Sequence, residues 1–168
     1  MTKYLLDSSI YISFYDRYYR FNYFPSFWNQ LKFILNDSVA IPKVVISETF
    51  QSEWFLKWLK LNYENEIINH KSYSPEWGLI LNHITNSDLY KDAALTSPKG
   101  WATETIADPW LIAIAIKENF TIVTDERKNP NIIPSKPHAS AKIPDICDDF
   151  KIRCISMNEF FEEIALSI

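Results

Sequence analysis

The stretch Tyr4-Leu5-Leu6-Asp7-Ser8-Ser9 decides the fold prediction. Its first three residues form a short strand-like run, and an acid follows this run directly. Asp7 is therefore predicted to lie at the carboxyl end of a first strand. In open parallel sheets this edge is where ligands bind. Asp7 is thus the first candidate for a functional residue.

Three more strand-like runs occupy residues 39–41, 121–123 and 152–155. Helix-compatible segments separate the first three of the four runs. Strands that alternate with helices are typical of a parallel sheet. The sequence therefore predicts an α/β fold.

Two segments have strong helical patterns. Residues 42–61 begin with a proline at a first-turn position, and apolar residues recur there near helical spacing. Residues 106–118 are apolar nearly all round, so that helix should pack inside, against the sheet. Ser156 and Glu159 form a capping-box pattern that predicts a last helix after the last strand.

The remaining segments are more polar. Residues 62–104 contain two prolines, two glycines and one moderate helical pattern, which indicates a helical insertion or lid. Residues 129–144 are rich in proline and are expected to form an extended loop.

Other acids follow or begin predicted elements. Asp125 and Glu126 come directly after the strand at residues 121–123, and Asp108 begins the apolar helix. Capping of that helix would by itself explain Asp108. Glu48 lies inside the predicted helix 42–61, where a solvent-facing glutamate is the simpler interpretation.

Taken together, these acids predict a metal site. Carboxylates that converge on one sheet edge repel each other, and a divalent cation is the simplest way to stabilise them. Ligand sets made only of oxygen favour Mg²⁺ or Mn²⁺. Such a site can hydrolyse phosphodiester bonds.

Composition excludes several other functions. The chain has 168 residues and a net charge of −4. It contains only two glycines, which are too few for a dinucleotide-binding fingerprint or for a glycine-rich phosphate-binding loop. Any basic surface for nucleic acid must be local. Candidates for such a surface are Lys43, Arg127, Lys128 and Lys142.

No apolar run is long enough for a membrane span, and the start of the chain has no leader pattern, so a cytoplasmic location is expected.

The ordered acidic motifs resemble those of PIN-domain nucleases. The motifs are Tyr4-Leu5-Leu6-Asp7-Ser8-Ser9, the Glu48 segment, Ala107-Asp108-Pro109-Trp110-Leu111-Ile112-Ala113 and Val123-Thr124-Asp125-Glu126. The chain is more similar still to a PIN-like family called DUF4411. It shares Phe24-Pro25-Ser26-Phe27-Trp28 and Lys142-Ile143-Pro144-Asp145-Ile146-Cys147 with that family, and the resemblance covers almost the whole chain.

This resemblance implies one domain over residues 1–168, built as a three-layer sandwich whose central parallel sheet has four or five strands flanked by helices. It also implies a VapC-like toxin of a prokaryotic toxin–antitoxin pair, acting as an Mg²⁺- or Mn²⁺-dependent endoribonuclease. The expected partners are RNA, a cognate antitoxin protein and, through the helical region, a second copy of the chain.

The resemblance carries roles onto particular residues. The expected catalytic residues are Asp7, Glu48, Asp108 and Glu126. Asp7, Asp108 and Glu126 are the expected metal ligands, with Asp125 competing for the fourth place because PIN domains usually have an aspartate where Glu126 stands. Supporting roles are expected for Ser8, Thr124 and Asp145. The alternative is a PIN-like module that binds RNA or protein without catalysis, since Glu126 departs from the pattern.

Overall fold

The computed structural model describes residues 1–48 and 51–168. Within these ranges the sheet has three strands, β1 (Tyr4–Leu6), β2 (Thr121–Val123) and β3 (Cys154–Ile155). All pairings are parallel and β2 lies in the centre. The α/β class and the parallel sheet agree with the prediction, but the predicted four or five strands are wrong.

The missing strand is the one predicted at residues 39–41. Val39 forms a single bridge with Tyr4, and the Ala40 N–H donates to the Tyr4 carbonyl at 2.9 Å. The next backbone groups pair elsewhere, since the Ile68 N–H donates to the Ile41 carbonyl at 3.0 Å. Pro42 follows and has no N–H to continue a ladder. The chain therefore leaves the sheet after one bridge.

Helices and turns supply the rest of the regular structure. The helices are α1 (Ser8–Ile12), α2 (Pro25–Ser38), α3 (Lys43–Ile46), α4 (Glu53–Asn62), α5 (Ser74–Thr85), α6 (Ala93–Thr96), α7 (Ala107–Glu118), α8 (Ile143–Asp149) and α9 (Met157–Glu163). A π-helical segment, Ser13–Tyr18, continues α1, and a 3₁₀ turn, His70–Tyr73, precedes α5.

The predicted single helix over residues 42–61 is wrong. α3 ends at Ile46, and α4 begins only at Glu53. The Ser52 side chain accepts a hydrogen bond from the Phe55 N–H, so it caps a new helix start. Thr49 and Phe50, which belonged to the predicted helix, lie outside the described residues. Glu48 therefore follows α3 and does not lie within a helix.

α7 is the central helix of the core, as its apolar sequence predicted. Residues 111–114 are fully buried, and α7 packs against α5 and β2. Ile80 and Ile84 of α5 are buried at this contact, so residues 62–104 contribute to the main core. Asn119 ends α7 in the left-handed region at φ 58°, and β2 starts two residues later. The chain thus turns sharply from α7 into the sheet.

The C-terminal helix confirms the capping-box prediction. The Glu159 N–H donates to Ser156 Oγ at 3.2 Å, and the Ser156 N–H donates to Glu159 Oε2 at 2.7 Å. Both ends of this reciprocal pair satisfy backbone groups at the start of α9.

The loop after β2 is largely irregular, as predicted. Residues 129–142 form no helix and no named strand, and α8 begins at Ile143.

None of the helices in the described part of the chain is long and apolar enough to cross a bilayer.

The two glycines provide a matched test of the fold. A Cβ at Gly100 would overlap the backbone carbonyl of Leu95, whereas a Cβ at Gly78 in α5 meets no atom within 4 Å. We expect Gly100→Ala to lower the free energy of unfolding by about 1–3 kcal/mol. Gly78→Ala should raise it by about 0.5–1 kcal/mol, because alanine favours helix. Urea unfolding of both variants measures the difference, and equal effects would contradict the described turn at residue 100.

Candidate active site

Four carboxylates meet at the carboxyl edge of the sheet. Asp7 follows β1, Glu126 lies three residues after β2, Asp108 is the second residue of α7, and Glu48 follows α3. Hydrogen bonds connect two of them, since Thr124 Oγ1 donates to Asp7 at 2.9 Å and accepts from the Glu126 N–H at 3.1 Å, and the charges of Asp7, Glu126 and Glu48 all raise the pKa of Asp108. The structure therefore brings the four sequence-predicted acids into one cluster, here called the acid cluster.

Asp7 is buried and held by two hydroxyl groups. Its Oδ2 accepts hydrogen bonds from Ser9 Oγ at 2.8 Å and from Thr124 Oγ1 at 2.9 Å. Its backbone N–H donates to the Val123 carbonyl at 2.9 Å, which ties its position to β2. Burial raises the pKa of Asp7, the Glu126 charge adds to this, and the two hydroxyls oppose it.

Glu48 spans from α3 to the start of α7. Its Oε1 accepts a hydrogen bond from the Ala107 N–H at 3.3 Å, one of the free N–H groups at a helix start. No donor in the described part of the chain reaches Oε2, which is buried. Burial is the main reason that the pKa of Glu48 rises to about 7. The nearby Ser8 hydroxyl opposes this rise, although Ser8 Oγ makes no hydrogen bond of normal geometry to any of the described residues.

Asp108 differs from the other three acids because its carboxylate has no hydrogen-bond donor among residues 1–48 and 51–168. Asp108 is half-buried, and the surrounding protein removes much of the water from its carboxyl group. This desolvation is the largest cause of a pKa well above the ordinary range, and the three neighbouring carboxylates raise it further. The charge of Lys142 opposes them and lowers the pKa of Asp108. A cation would therefore stabilise Asp108 most.

Glu126 is held at the start of α8. Its Oε1 accepts from Lys142 Nζ at 3.0 Å, and its Oε2 accepts from the Ile143 N–H at 2.7 Å. Its own N–H donates to Thr124 Oγ1 at 3.1 Å, the same hydroxyl that donates to Asp7. Thr124 thus connects the two acids.

Asp125 and Asp145 have other contacts. Asp125 Oδ1 accepts from the Met157 N–H at 3.0 Å and so caps α9. Asp145 Oδ2 accepts from the Asn129 N–H at 3.0 Å and holds the loop after β2. The charge of Glu126 raises the pKa of both Asp7 and Asp108. Of the two rivals, Glu126 is therefore the one that joins the acid cluster.

The acid cluster offers oxygen donors for a cation. In the described ranges no three Asp, Glu, His or Cys side chains stand at metal-ligand spacing. Asp7, Asp108 and Glu126 would have to move closer together to hold one ion, and the Asp7 and Glu126 oxygens that accept hydrogen bonds each keep a second lone pair for it. Glu48 Oε2, which no donor of the described residues reaches, and the Asp108 carboxylate, which accepts no hydrogen bond from them, fit such a donor set in their chemistry.

The four candidate basic residues divide by position. Lys142 contacts Glu126, as described. Lys43 lines a separate cavity beside His70 and Glu104. Arg127 and Lys128 line a cavity of about 860 Å³ that also includes Thr124 and Glu126. Two of the four predicted basic residues, Arg127 and Lys128, therefore lie in a cavity next to the acid cluster.

Neither Ser9 nor the tyrosines Tyr18 and Tyr19 were identified from the sequence as site residues. Ser9 donates to Asp7, and both tyrosines line the 860 Å³ cavity. The signals were present as the second serine after Asp7 and as an aromatic run. Neither signal indicates by itself which side chains turn towards the site.

The raised pKa values predict how stability depends on pH. Between the ordinary glutamate value of 4.5 and about 7, folded Glu48 binds a proton that the unfolded chain releases. The free energy of unfolding should therefore fall as pH rises through this window, and Asp108 adds to the fall. In EDTA, Glu48→Gln or Asp108→Asn should each reduce the fall by on the order of 1 kcal/mol.

The control variant for this experiment is Asp88→Asn, which removes an exposed acid outside the cluster. The free energy of unfolding is measured with urea at pH 5, near the lower end of the window, and at pH 8, above its upper end. The change between the two pH values is then compared among the variants. A pH dependence that is identical in wild type and in all three variants would contradict the described cluster.

Comparison of the chain with curated proteins and with solved structures finds no match. A family model described as "Domain of unknown function (DUF4411)" matches residues 4–168. Because this match spans nearly the whole sequence, the chain belongs to the DUF4411 family.

Proposed function

We propose that this protein is a metal-dependent endoribonuclease that hydrolyses phosphodiester bonds of RNA. The observation that carries the proposal is the acid cluster, in which Asp108 has no hydrogen-bond donor in the described chain and lies close to three other carboxylates. Such an arrangement is costly without a cation, and a divalent ion offsets the repulsion. Oxygen donors alone favour Mg²⁺ or Mn²⁺.

Asp7, Asp108 and Glu126 would hold the ion. When bound, the ion would polarise the phosphate and acidify a water molecule. Ser9 and Thr124 keep the Asp7 carboxylate in one orientation through their hydroxyls. Such preorganisation of charged groups is the main contribution that a protein makes to phosphoryl chemistry.

Glu48 is suited to accept the proton of the attacking water. A general base is most effective when its pKa lies near the working pH, and that of Glu48 is raised to about 7. Oε2, which accepts no hydrogen bond from the described residues, is the atom that would take the proton, while the Ala107 N–H holds Oε1. Lys142 could exchange its contact with Glu126 for a substrate phosphate, because an ammonium group has three donors.

The choice of RNA rests on the resemblance of the ordered acidic motifs to PIN-domain nucleases. The same resemblance supports the proposed role as the toxin of a toxin–antitoxin pair, with a cognate antitoxin as its protein partner.

One observation favours a second function. Both carboxylate oxygens of Glu126 are already occupied, by Lys142 Nζ and by the Ile143 N–H. A chain in which these contacts persist would have a weaker metal site and would act as an RNA- or protein-binding module without catalysis.

Cleavage of a labelled RNA with Mn²⁺ separates the two functions. We expect wild type to cleave and Asp108→Asn to lose at least about 100-fold in rate, as is typical when a group that stabilises the transition state is removed. Asp125→Asn is the matched control, since it removes a neighbouring carboxylate that caps α9. It should retain most of the rate at a temperature where circular dichroism shows it folded. Equal rates for wild type and Asp108→Asn, or undiminished cleavage in EDTA, would contradict the proposal.

A further inference from the structure

The 860 Å³ cavity adjoins the acid cluster directly. Thr124 and Glu126 belong to both, since Thr124 Oγ1 donates to Asp7 and also lines the cavity. The other lining residues are Tyr18, Tyr19, Asp125, Arg127, Lys128, Pro144, Cys154, Ile155, Ser156, Met157 and Asn158. A ligand in this cavity would therefore lie next to the carboxylates.

Tyr18 and Tyr19 form an aromatic side of the cavity, and Tyr19 packs against residues of α2. Tyr19 stacks on Phe27 with ring centroids 4.3 Å apart and an angle of 12°, and Trp28 Nε1 donates to its carbonyl at 2.5 Å. Tyr18 contacts Tyr19 edge to face at 6.3 Å and remains 56% exposed. Tyr18 ends the π-helical segment Ser13–Tyr18, a type of structure that is frequent at functional sites. Tyr18 therefore presents an accessible ring next to the packed ring of Tyr19.

A second side of the cavity carries positive charge. Arg127 is exposed and has no acidic partner in the chain that the structure describes. Lys128 pairs with Asp148, but more than half of each side chain is exposed. Exposed pairs of this kind contribute little, so Lys128 could exchange Asp148 for a phosphate. The acids Asp125 and Glu126 also line the cavity, so its positive charge is limited to the side formed by Arg127 and Lys128.

We propose that this cavity binds an unpaired nucleotide next to the bond that is cut, with Tyr18 stacked on the base and Arg127 in contact with a phosphate. The inference rests on the proposed function and adds a nucleotide subsite beside the acid cluster, formed by residues outside that cluster. A base in a duplex has both faces covered, whereas an unpaired base can stack on an aromatic ring. The combination of a ring and a guanidinium beside a phosphodiester site favours RNA over a protein segment as the occupant.

The nucleotide site can be tested without metal-dependent cleavage. The experiment measures by anisotropy, in EDTA, how tightly the protein binds a fluorescent single-stranded RNA of about ten nucleotides. We expect Tyr18→Ala to weaken binding about 5- to 10-fold, while Tyr18→Phe keeps the ring and the affinity. Tyr23→Ala is the matched control, because Tyr23 is 74% exposed and does not line the cavity. Arg127→Gln should weaken binding and reduce its salt dependence, whereas Lys99→Gln, an exposed charge outside the cavity, should not.

The outcomes separate this inference from the hydrolase proposal. Equal affinity of wild type, Tyr18→Ala and Tyr23→Ala would overturn the inference even if the RNA is cleaved with Mn²⁺. Failure of wild type to bind single-stranded RNA, or equally tight binding of a duplex that does not depend on Tyr18, would overturn it too. Binding that depends on Tyr18 without any Mn²⁺-dependent cleavage would support the nucleotide site and contradict hydrolysis.

Discussion

The repulsion among carboxylates at one edge of the sheet is the constraint on which the rest of the site depends. The protein offsets it differently for each acid: hydroxyl groups hold Asp7, the first N–H of α7 holds Glu48, and a lysine with the first N–H of α8 holds Glu126. Within the described chain Asp108 receives no such donor. The electrostatic cost is therefore concentrated on one residue, and a cation would reduce it most effectively there.

The short segment after β2 connects this site to the surrounding helices. Thr124 donates to Asp7, Asp125 caps α9, and Glu126 holds the start of α8. Three consecutive side chains thus contact Asp7, the start of α9 and the start of α8. Because acids at helix starts interact favourably with the backbone N–H groups, both contacts also stabilise the fold. The segment is consequently under structural and functional constraint at once.

Much of the site could be predicted from sequence because Asp7 and Glu126 follow short, fully buried strands, where local pattern and position in the sheet agree. The surroundings of Glu48 could not, since the apolar spacing of residues 42–61 continues across a helix start at Ser52. The choice between Asp125 and Glu126 was also undecidable. It depends on contacts with residues 142, 143 and 157, which are distant in sequence. The larger sheet implied by family resemblance was wrong because Pro42 ends the pairing after one bridge.

Calorimetric titration of Mn²⁺ into the metal-free protein at about pH 7.5 tests whether the acid cluster binds a cation. We expect saturable binding, because a divalent ion offsets the repulsion among the carboxylates. Asp108→Asn should lose the binding and Asp125→Asn should keep it. Absence of Mn²⁺ binding by the folded protein, or equal binding by Asp108→Asn, would show that the acid cluster is not a cation site.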